Sequence, residues 1–147
     1  MKGSRRVSRE LALQGLYQWL VNRSDAETVL AQIAGEEGYA RADRAYLEAL
    51  VRDVVSDADT LRDRIRPFLD RPIGQLSPIE HALLLMAASE LSMQPDTPYA
   101  VVINEAVELA KIYGGTDGHK YVNGVLDKLA AETRAAETQA RGKKGAR

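Results

Sequence analysis

Residues 77–91 of the chain read SPIEHALLLMAASEL. Ser77 is a favoured N-cap residue, Pro78 suits the first helical position, and Glu80 stands at the third, where a capping box places its acid. The run from Ala82 to Ala88 is apolar on every side of a helix, which is typical of a helix that neighbours cover all round. This segment is therefore predicted to be the central and most buried helix.

The segments on both sides of this helix also have helical spacing, and no stretch alternates apolar and polar residues for long enough to predict a strand. The apolar stripes are Leu13, Leu16, Tyr17 and Leu20; Val29, Leu30 and Ile33; Tyr46, Leu47, Leu50, Val51 and Val54, continued by Leu61, Ile65, Phe68 and Leu69; Val102, Ala106, Leu109 and Tyr113; and Tyr121, Val122, Val125, Leu126 and Leu129. The expected helix starts are Asp25, Thr97-Pro98 and Thr116 or Asp117, and the expected ends are Pro67, Pro72 and a left-handed Gly114-Gly115. The prediction is an all-α, compact helical domain of about six to seven helices.

Composition narrows the class of protein. A chain of 147 residues, 45% hydrophobic and 28% charged, fits one globular domain. The absence of cysteine excludes disulfides, thiolate zinc sites, iron–sulfur clusters and a cysteine nucleophile, and it favours a reducing cytosol. The longest apolar run is far shorter than the ~20 residues of a membrane span. We therefore expect a cytoplasmic protein with no membrane or export role.

The motifs that would indicate an enzyme or a metal site are incomplete in this sequence. The glycine cluster at residues 114–120 does not have the spacing of a phosphate-binding loop. His81 and His119 are far apart in sequence, and Asp57 and Asp59 are not followed by the other oxygen ligands of a calcium loop. We expect no catalytic residue, no metal and no cofactor.

Charge is distributed unevenly along the chain. Residues 1–24 carry a net charge of +4 and residues 134–147 also carry +4, whereas residues 25–133 carry -9. Such asymmetry is expected of a protein that offers one edge to a polyanion. We expect the domain to cover residues 1–133 and residues 134–147 to form a basic, disordered tail.

The basic residues before the first helix indicate an anionic partner. Lys2, Arg5, Arg6 and Arg9 have no acidic residue among them, and Arg5 and Arg9 share one helix face, where like charges are destabilising unless a partner neutralises them. Arginine binds phosphate and stacks on bases, and an exposed tyrosine can also stack. The candidate tyrosines are Tyr17, Tyr99, Tyr113 and Tyr121, although Tyr17 and Tyr121 could equally fill the core. Single-stranded RNA is favoured over duplex DNA because no helix-turn-helix charge pattern is present.

Four blocks of the sequence together have a recognisable pattern: RRVSRELALQGLY at residues 5–17, LSPIEHALLLMAASEL at 76–91, PYAVVINEAVELAK at 98–111 and HKYVNGVLDK at 119–128. In this order they resemble the NusB family of bacterial transcription antitermination factors. The resemblance runs in order over about residues 4 to 130. It implies two packed helical subdomains and no enzymatic activity. It also implies binding of the boxA element of nascent ribosomal RNA jointly with the small-subunit ribosomal protein NusE, in a complex with other Nus factors and RNA polymerase.

The resemblance also assigns candidate site residues. The family's RNA-contacting arginines map onto Arg5, Arg6 and Arg9, with Lys2 before them and Tyr17 nearby. A second RNA-proximal region maps onto Asp117, Lys120 and Tyr121, and the ribosomal-protein surface maps onto Glu80 and Leu84. The chain departs from the family at Val7, Leu85 and Ser89, where arginine, arginine and tyrosine are common, so RNA contacts are not expected there.

Two other functions are compatible with the sequence. NusB-like domains also form the RNA-binding part of ribosomal RNA cytosine methyltransferases, but this chain has no glycine-rich cofactor region and no cysteine nucleophile. A helical protein adaptor without RNA readout would use the basic start only as a charged tail. Some family members self-associate and bury the RNA-binding edge, and the sequence leaves open whether this chain forms such a homodimer.

Overall fold

The fold is all-α, as predicted. The computed structural model describes residues 3–145, with side chains described up to residue 140. The helices are α1 (Arg5–Asn22), α2 (Ala26–Ala34), α3 (Arg44–Ile65), α4 (Pro78–Met93), α5 (Tyr99–Tyr113), α6 (Gly118–Thr133) and α7 (Ala135–Gly145). Short 3-10 turns occupy Glu37–Arg41, Arg66–Phe68 and Ile73–Gln75. No strand occurs within the described range, where a single isolated bridge joins Ser4 and Ala42.

Helix α4 is the centre of the fold. Its start matches the prediction, because the Ser77 hydroxyl accepts the Glu80 N–H at 3.1 Å and Pro78 is the first helical residue. Every residue from Ala82 to Leu91 is buried. Helices α1 and α3 pack against one side of α4 and helices α5 and α6 against the other. The all-round apolar surface of α4 is thus covered by two groups of helices.

The helices around α1 begin at polar caps. The side chain of Asp25 accepts the Thr28 N–H at 2.7 Å and starts α2, as predicted. The side chain of Asp43 accepts the Tyr46 N–H at 3.2 Å and starts α3. Helix α3 runs as one element through a non-helical residue, Asp57, and ends before Pro67. These caps fix where α2 and α3 meet α1.

The ends of α5 differ from the prediction. Thr97 does not cap this helix: Pro98 is its N-cap residue, and the Tyr99 N–H donates to a carboxylate oxygen of Glu137 at 2.9 Å. Gly114 ends α5 with φ -85°, so the predicted left-handed exit is wrong. Glycine is needed there for another reason, because a Cβ would lie 2.6 Å from the Ala110 carbonyl oxygen.

Within residues 134–147, where a disordered tail is expected, the described part is helical from Ala135 to Gly145. Arg134 holds the start of this helix to the body. Its guanidinium donates to the carbonyl oxygens of Leu91 at 2.7 Å, Gln94 at 2.9 Å and Thr97 at 3.0 Å. These carbonyls lie in the last turn of α4 and in the turn before α5, where helix-end acceptors lack intrahelical donors. One arginine donates to all three, and the Gln94 carbonyl also accepts the Thr97 N–H at 3.0 Å. Within residues 3–145, no helix combines the length and apolar character needed to cross a membrane.

Candidate nucleic-acid interface

Arg5 and Arg6 lie at the surface, at the start of α1. The Arg5 guanidinium stacks over the Tyr46 ring at 4.4 Å from its centroid and donates to the Thr97 hydroxyl at 3.3 Å, and 45% of its side chain stays exposed. Arg6 is 72% exposed and forms two hydrogen bonds with Glu105 on α5, at 3.0 and 3.2 Å. The two arginines therefore offer cationic groups to solvent at one end of α1, here named the arginine end.

Arg9 is buried and does not lie at this surface, which corrects the prediction that it contacts RNA with Arg5 and Arg6. Its side chain is 6% exposed and forms a bidentate ion pair with Glu90 of α4, at 2.8 and 3.0 Å. The Tyr46 hydroxyl accepts from Arg9 at 3.1 Å and donates to Glu90 at 2.6 Å. Burial opposes the charge of Arg9, but the hydrogen bonds and the attraction of Glu90 outweigh it and raise the pKa of Arg9. A side chain enclosed in this way is not available to RNA.

The assumption that the basic residues lack acidic partners is therefore wrong. Glu105 and Glu90 neutralise Arg6 and Arg9, although they lie on other helices and far away in sequence. Lys2 lies outside the described residues. Of the predicted basic cluster, only Arg5 and Arg6 are seen at the surface.

A second set of predicted residues lies where α6 begins. Lys120 and Asp117 are exposed and form an ion pair at 3.4 Å. Tyr121 is half-buried, with the guanidinium of Arg71 stacked over its ring at 4.3 Å, and its hydroxyl accepts the Asp70 N–H at 3.4 Å. We call this region the α6 end. Arg71 was missed in the sequence because its contact with Tyr121 spans fifty positions.

A groove of about 590 Å³ is lined by residues of α1, α2, α4 and α5. It runs along α1, and the residues that line it include Tyr17, Tyr113, Gln14, Gln18, Gln32 and Ile79. The Tyr113 hydroxyl donates to Glu10 at 2.8 Å, one helical turn from Arg6, which ties the groove to the arginine end. Ile79, in the first turn of α4, also lines the groove and is followed by Glu80. Tyr17 thus lines the groove as a half-buried side chain rather than filling the core.

The two predicted partner-binding residues differ in exposure. Glu80 is half-buried in the first turn of α4. Leu84 is fully buried, so it has no surface for a partner, and its prediction is corrected. One turn beyond Glu80 the helix is already covered on all sides, which is the physical reason for the difference.

The histidines and acids do not form a metal centre. Among the described residues, no group of three or more His, Asp or Glu side chains is arranged to hold a metal ion. His81 is partly buried, and its Nε2 accepts from Arg62 at 3.1 Å. Burial, with a smaller contribution from Arg62, lowers the pKa of His81 to about 4. His81 is therefore a neutral structural residue at neutral pH.

Comparison with known proteins agrees with the resemblance read from the sequence. The model of the NusB family matches residues 6–131. The chain belongs to the NusB family. It is 58% identical over 144 residues to the transcription antitermination protein NusB of Paraburkholderia phymatum, which covers 98% of this chain and 99% of that protein. It is also 58% identical over 140 residues to the protein of the same name from Burkholderia cenocepacia, with 95% and 97% covered.

Solved structures match the fold. A NusB structure from T. maritima superposes with a TM-score of 0.82 at 32% identity and covers 90% of this chain and 94% of that one. NusB in a complex of the antitermination factors NusB and NusE with double-stranded RNA gives a TM-score of 0.73 at 23% identity, with 85% and 94% covered. The second likeness concerns the fold alone. The arrangement of α1–α6 is thus that of the NusB family.

Proposed function

We propose that this chain is a transcription antitermination factor that binds the boxA element of nascent ribosomal RNA together with NusE. Its relatives at 58% identity carry the name of that function. The observation that carries the RNA-binding part is the pair of exposed arginines, Arg5 and Arg6, at the start of α1, the helix along which a groove lined by Tyr17 and Tyr113 runs. Such an arrangement combines phosphate-binding cations with rings on which unpaired bases can stack.

The RNA would extend from the arginine end along the groove to the α6 end. Arg5 and Arg6 contact phosphates, while Tyr17 and the glutamine amides of the groove face the bases. Lys120, Asp117 and Tyr121 contact the strand where α6 begins, and Lys2 is an additional candidate for phosphate contact. The surface supplies both positioning by phosphate contacts and base recognition.

NusE is the proposed protein partner. A basic ribosomal protein suits the net charge of -9 on residues 25–133, because complementary charge speeds and orients association. Glu80 is the candidate contact on this chain, at the exposed start of α4. The related NusB in the structure with NusE and RNA has the same fold, which supports the choice of partner.

The remaining parts of the proposal follow from this role. The chain acts in the cytoplasm, within a complex that contains other Nus factors and RNA polymerase. Its contribution is binding, without a catalytic step, cofactor or metal. The methyltransferase alternative gains no support from the relatives, which bear the antitermination name.

A protein adaptor without RNA readout is the second candidate. The observation that favours it is the internal pairing of the arginines: Glu90 encloses Arg9, and Glu105 already binds Arg6. Under this alternative, the net cationic charge at the arginine end would be too small to bind RNA, and only the acidic partner surface would function.

A titration separates the two candidates. Fluorescent boxA RNA and a scrambled RNA are titrated with the chain, with and without NusE, at several salt concentrations. The test variant carries Arg5→Gln and Arg6→Gln, and the matched control carries Arg52→Gln and Arg66→Gln, two arginines of other ion pairs at and beyond α3. Sedimentation of the free chain shows whether it self-associates.

If the chain recognises RNA sequence, it should bind boxA more tightly than the scrambled RNA, and NusE should increase its affinity for boxA. The slope of log affinity against log salt concentration should be smaller in magnitude by about 1.4 for the test variant, because each of two single-strand phosphate contacts contributes about 0.7 to the slope. The control variant should keep the wild-type slope. NusE binding with equal affinity for boxA and scrambled RNA would instead support the adaptor.

A further inference from the structure

Tyr46 lies between the first turn of α1 and the body of the protein. Its ring carries the Arg5 guanidinium on one face at 4.4 Å, and the Arg9 guanidinium lies 5.3 Å from the same centroid. Only 6% of Tyr46 is exposed. A cation at this distance from an aromatic face is attracted by the ring quadrupole. The outer guanidinium, that of Arg5, is thus in contact with a buried ring.

The ring itself is fixed by a buried network. The Tyr46 hydroxyl donates to Glu90 at 2.6 Å and accepts from Arg9 at 3.1 Å, while Arg9 is paired with Glu90. The three side chains belong to α3, α4 and α1. Because each polar group is satisfied by the other two, the ring has one favourable orientation.

Arg5 is held by three groups and still faces solvent. Besides the ring, the Thr97 hydroxyl accepts from it at 3.3 Å, and an Asp43 oxygen lies 3.9 Å away. Its neighbour Arg6 is more exposed and touches Glu105 instead of an aromatic ring. The chain therefore has one surface arginine with a fixed orientation beside one in a solvent-exposed ion pair.

We propose that Tyr46 is a positioning residue for RNA binding, which holds the Arg5 guanidinium in the orientation that a phosphate or base of the RNA meets. The inference rests on the proposed function. A free arginine must give up rotamer freedom when it binds, and a side chain that is already ordered avoids this loss. The Tyr46 ring orders the Arg5 side chain without itself contacting RNA.

The first test needs no RNA. The Nε–Hε signal of Arg5 is recorded by NMR in the full chain, in Tyr46→Phe and in Tyr46→Leu, after thermal melts show that the variants are folded. We expect an upfield ring-current shift in the wild type and in Tyr46→Phe, which keeps the ring, and its loss in Tyr46→Leu. If the Arg5 signal has the same position in all three proteins, the inference is overturned. Tyr46→Met gives the same comparison with a longer, unbranched side chain, should the leucine variant not fold.

The second test is a double-mutant cycle on affinity for boxA RNA in the presence of NusE. Tyr46→Leu should weaken binding about three- to tenfold, which corresponds to the ordering of one long side chain. Arg5→Gln should then cost less in the Tyr46→Leu background than in the wild type, by that same factor. The matched control is Arg6→Gln, whose effect should be equal in both backgrounds because Arg6 does not contact Tyr46.

The outcomes distinguish the inference from the function on which it rests. If Arg5→Gln weakens binding by the same factor in the wild type and in the Tyr46→Leu background, as Arg6→Gln should, the positioning role is overturned. RNA binding by Arg5 then stands. If Arg5→Gln leaves the affinity unchanged and boxA is not preferred over scrambled RNA, both the positioning role and the RNA-binding role of Arg5 are overturned.

Discussion

The buried ion pair of Arg9 and Glu90 predicts a large loss of stability from a single isosteric change, Glu90→Gln. The two side chains are 6% and 3% exposed, so neither charge is solvated. Loss of the carboxylate charge leaves Arg9 desolvated without an anion, and breaking a buried pair in this way typically costs about 3–5 kcal/mol. Glutamine keeps one oxygen that can accept from Arg9, so we expect the lower end, about 3 kcal/mol. For a domain of this size that lowers Tm by roughly 6 to 12 °C.

Urea denaturation at pH 7, followed by circular dichroism, measures the change in the free energy of unfolding. The control is a triple variant, Arg9→Met, Glu90→Leu and Tyr46→Phe, in which all three polar partners are removed together. It should be within about 2 kcal/mol of the wild type, because no buried polar group is left unpaired. The reasoning is refuted if Glu90→Gln is as stable as the wild type, or if the triple variant is less stable than the single one.

Three further predictions concern other contacts. Glu105→Gln should strengthen RNA binding, most at low salt, because it frees Arg6 from its ion pair; fluorescence anisotropy checks this, and unchanged affinity contradicts it. His81 has a folded-state pKa of about 4 against an ordinary value of 6.5, so below pH 6.5 the unfolded chain takes up a proton that the folded chain does not. The free energy of unfolding should therefore fall as the pH drops from about 6.5 to about 4, and His81→Gln should make this fall smaller in urea denaturation at pH 7 and pH 5. Arg134→Ala should cost about 1–3 kcal/mol and speed hydrogen exchange in α7 and at the non-proline residues of 94–97, since three carbonyl oxygens lose the arginine as a donor; exchange at the wild-type rate would contradict the anchoring role.

The parts of the fold that the sequence predicts are those set by local chemistry. The N-caps at Ser77 and Asp25, and the burial of α4, depend on residues within one or two turns of each other. Helical spacing alone was sufficient for the class of fold. Arg5 and Arg6 lie at the surface at the start of a helix, as their predicted contact with RNA requires.

The errors concern contacts between residues that are distant in sequence. Arg9 resembles its neighbours until the fold brings Glu90 against it. Leu84 was assigned to a partner surface by the resemblance alone, although it lies in the apolar run that predicts a helix covered on all sides. The helical C-terminal segment depends on Arg134, whose acceptors lie on the turn between α4 and α5. Tertiary hydrogen bonds of this kind have no signal in local spacing.

The central claim is that this chain promotes antitermination by binding boxA through α1. Single-round transcription with RNA polymerase, NusE and the other Nus factors, on a template with a boxA leader upstream of a terminator, tests it most directly. The chain should raise read-through on this template but not on one with a scrambled boxA, and Arg5→Gln with Arg6→Gln should reduce the gain while Arg52→Gln with Arg66→Gln keeps it. Equal read-through on both templates, or an undiminished gain with the Arg5 and Arg6 variant, would contradict the claim.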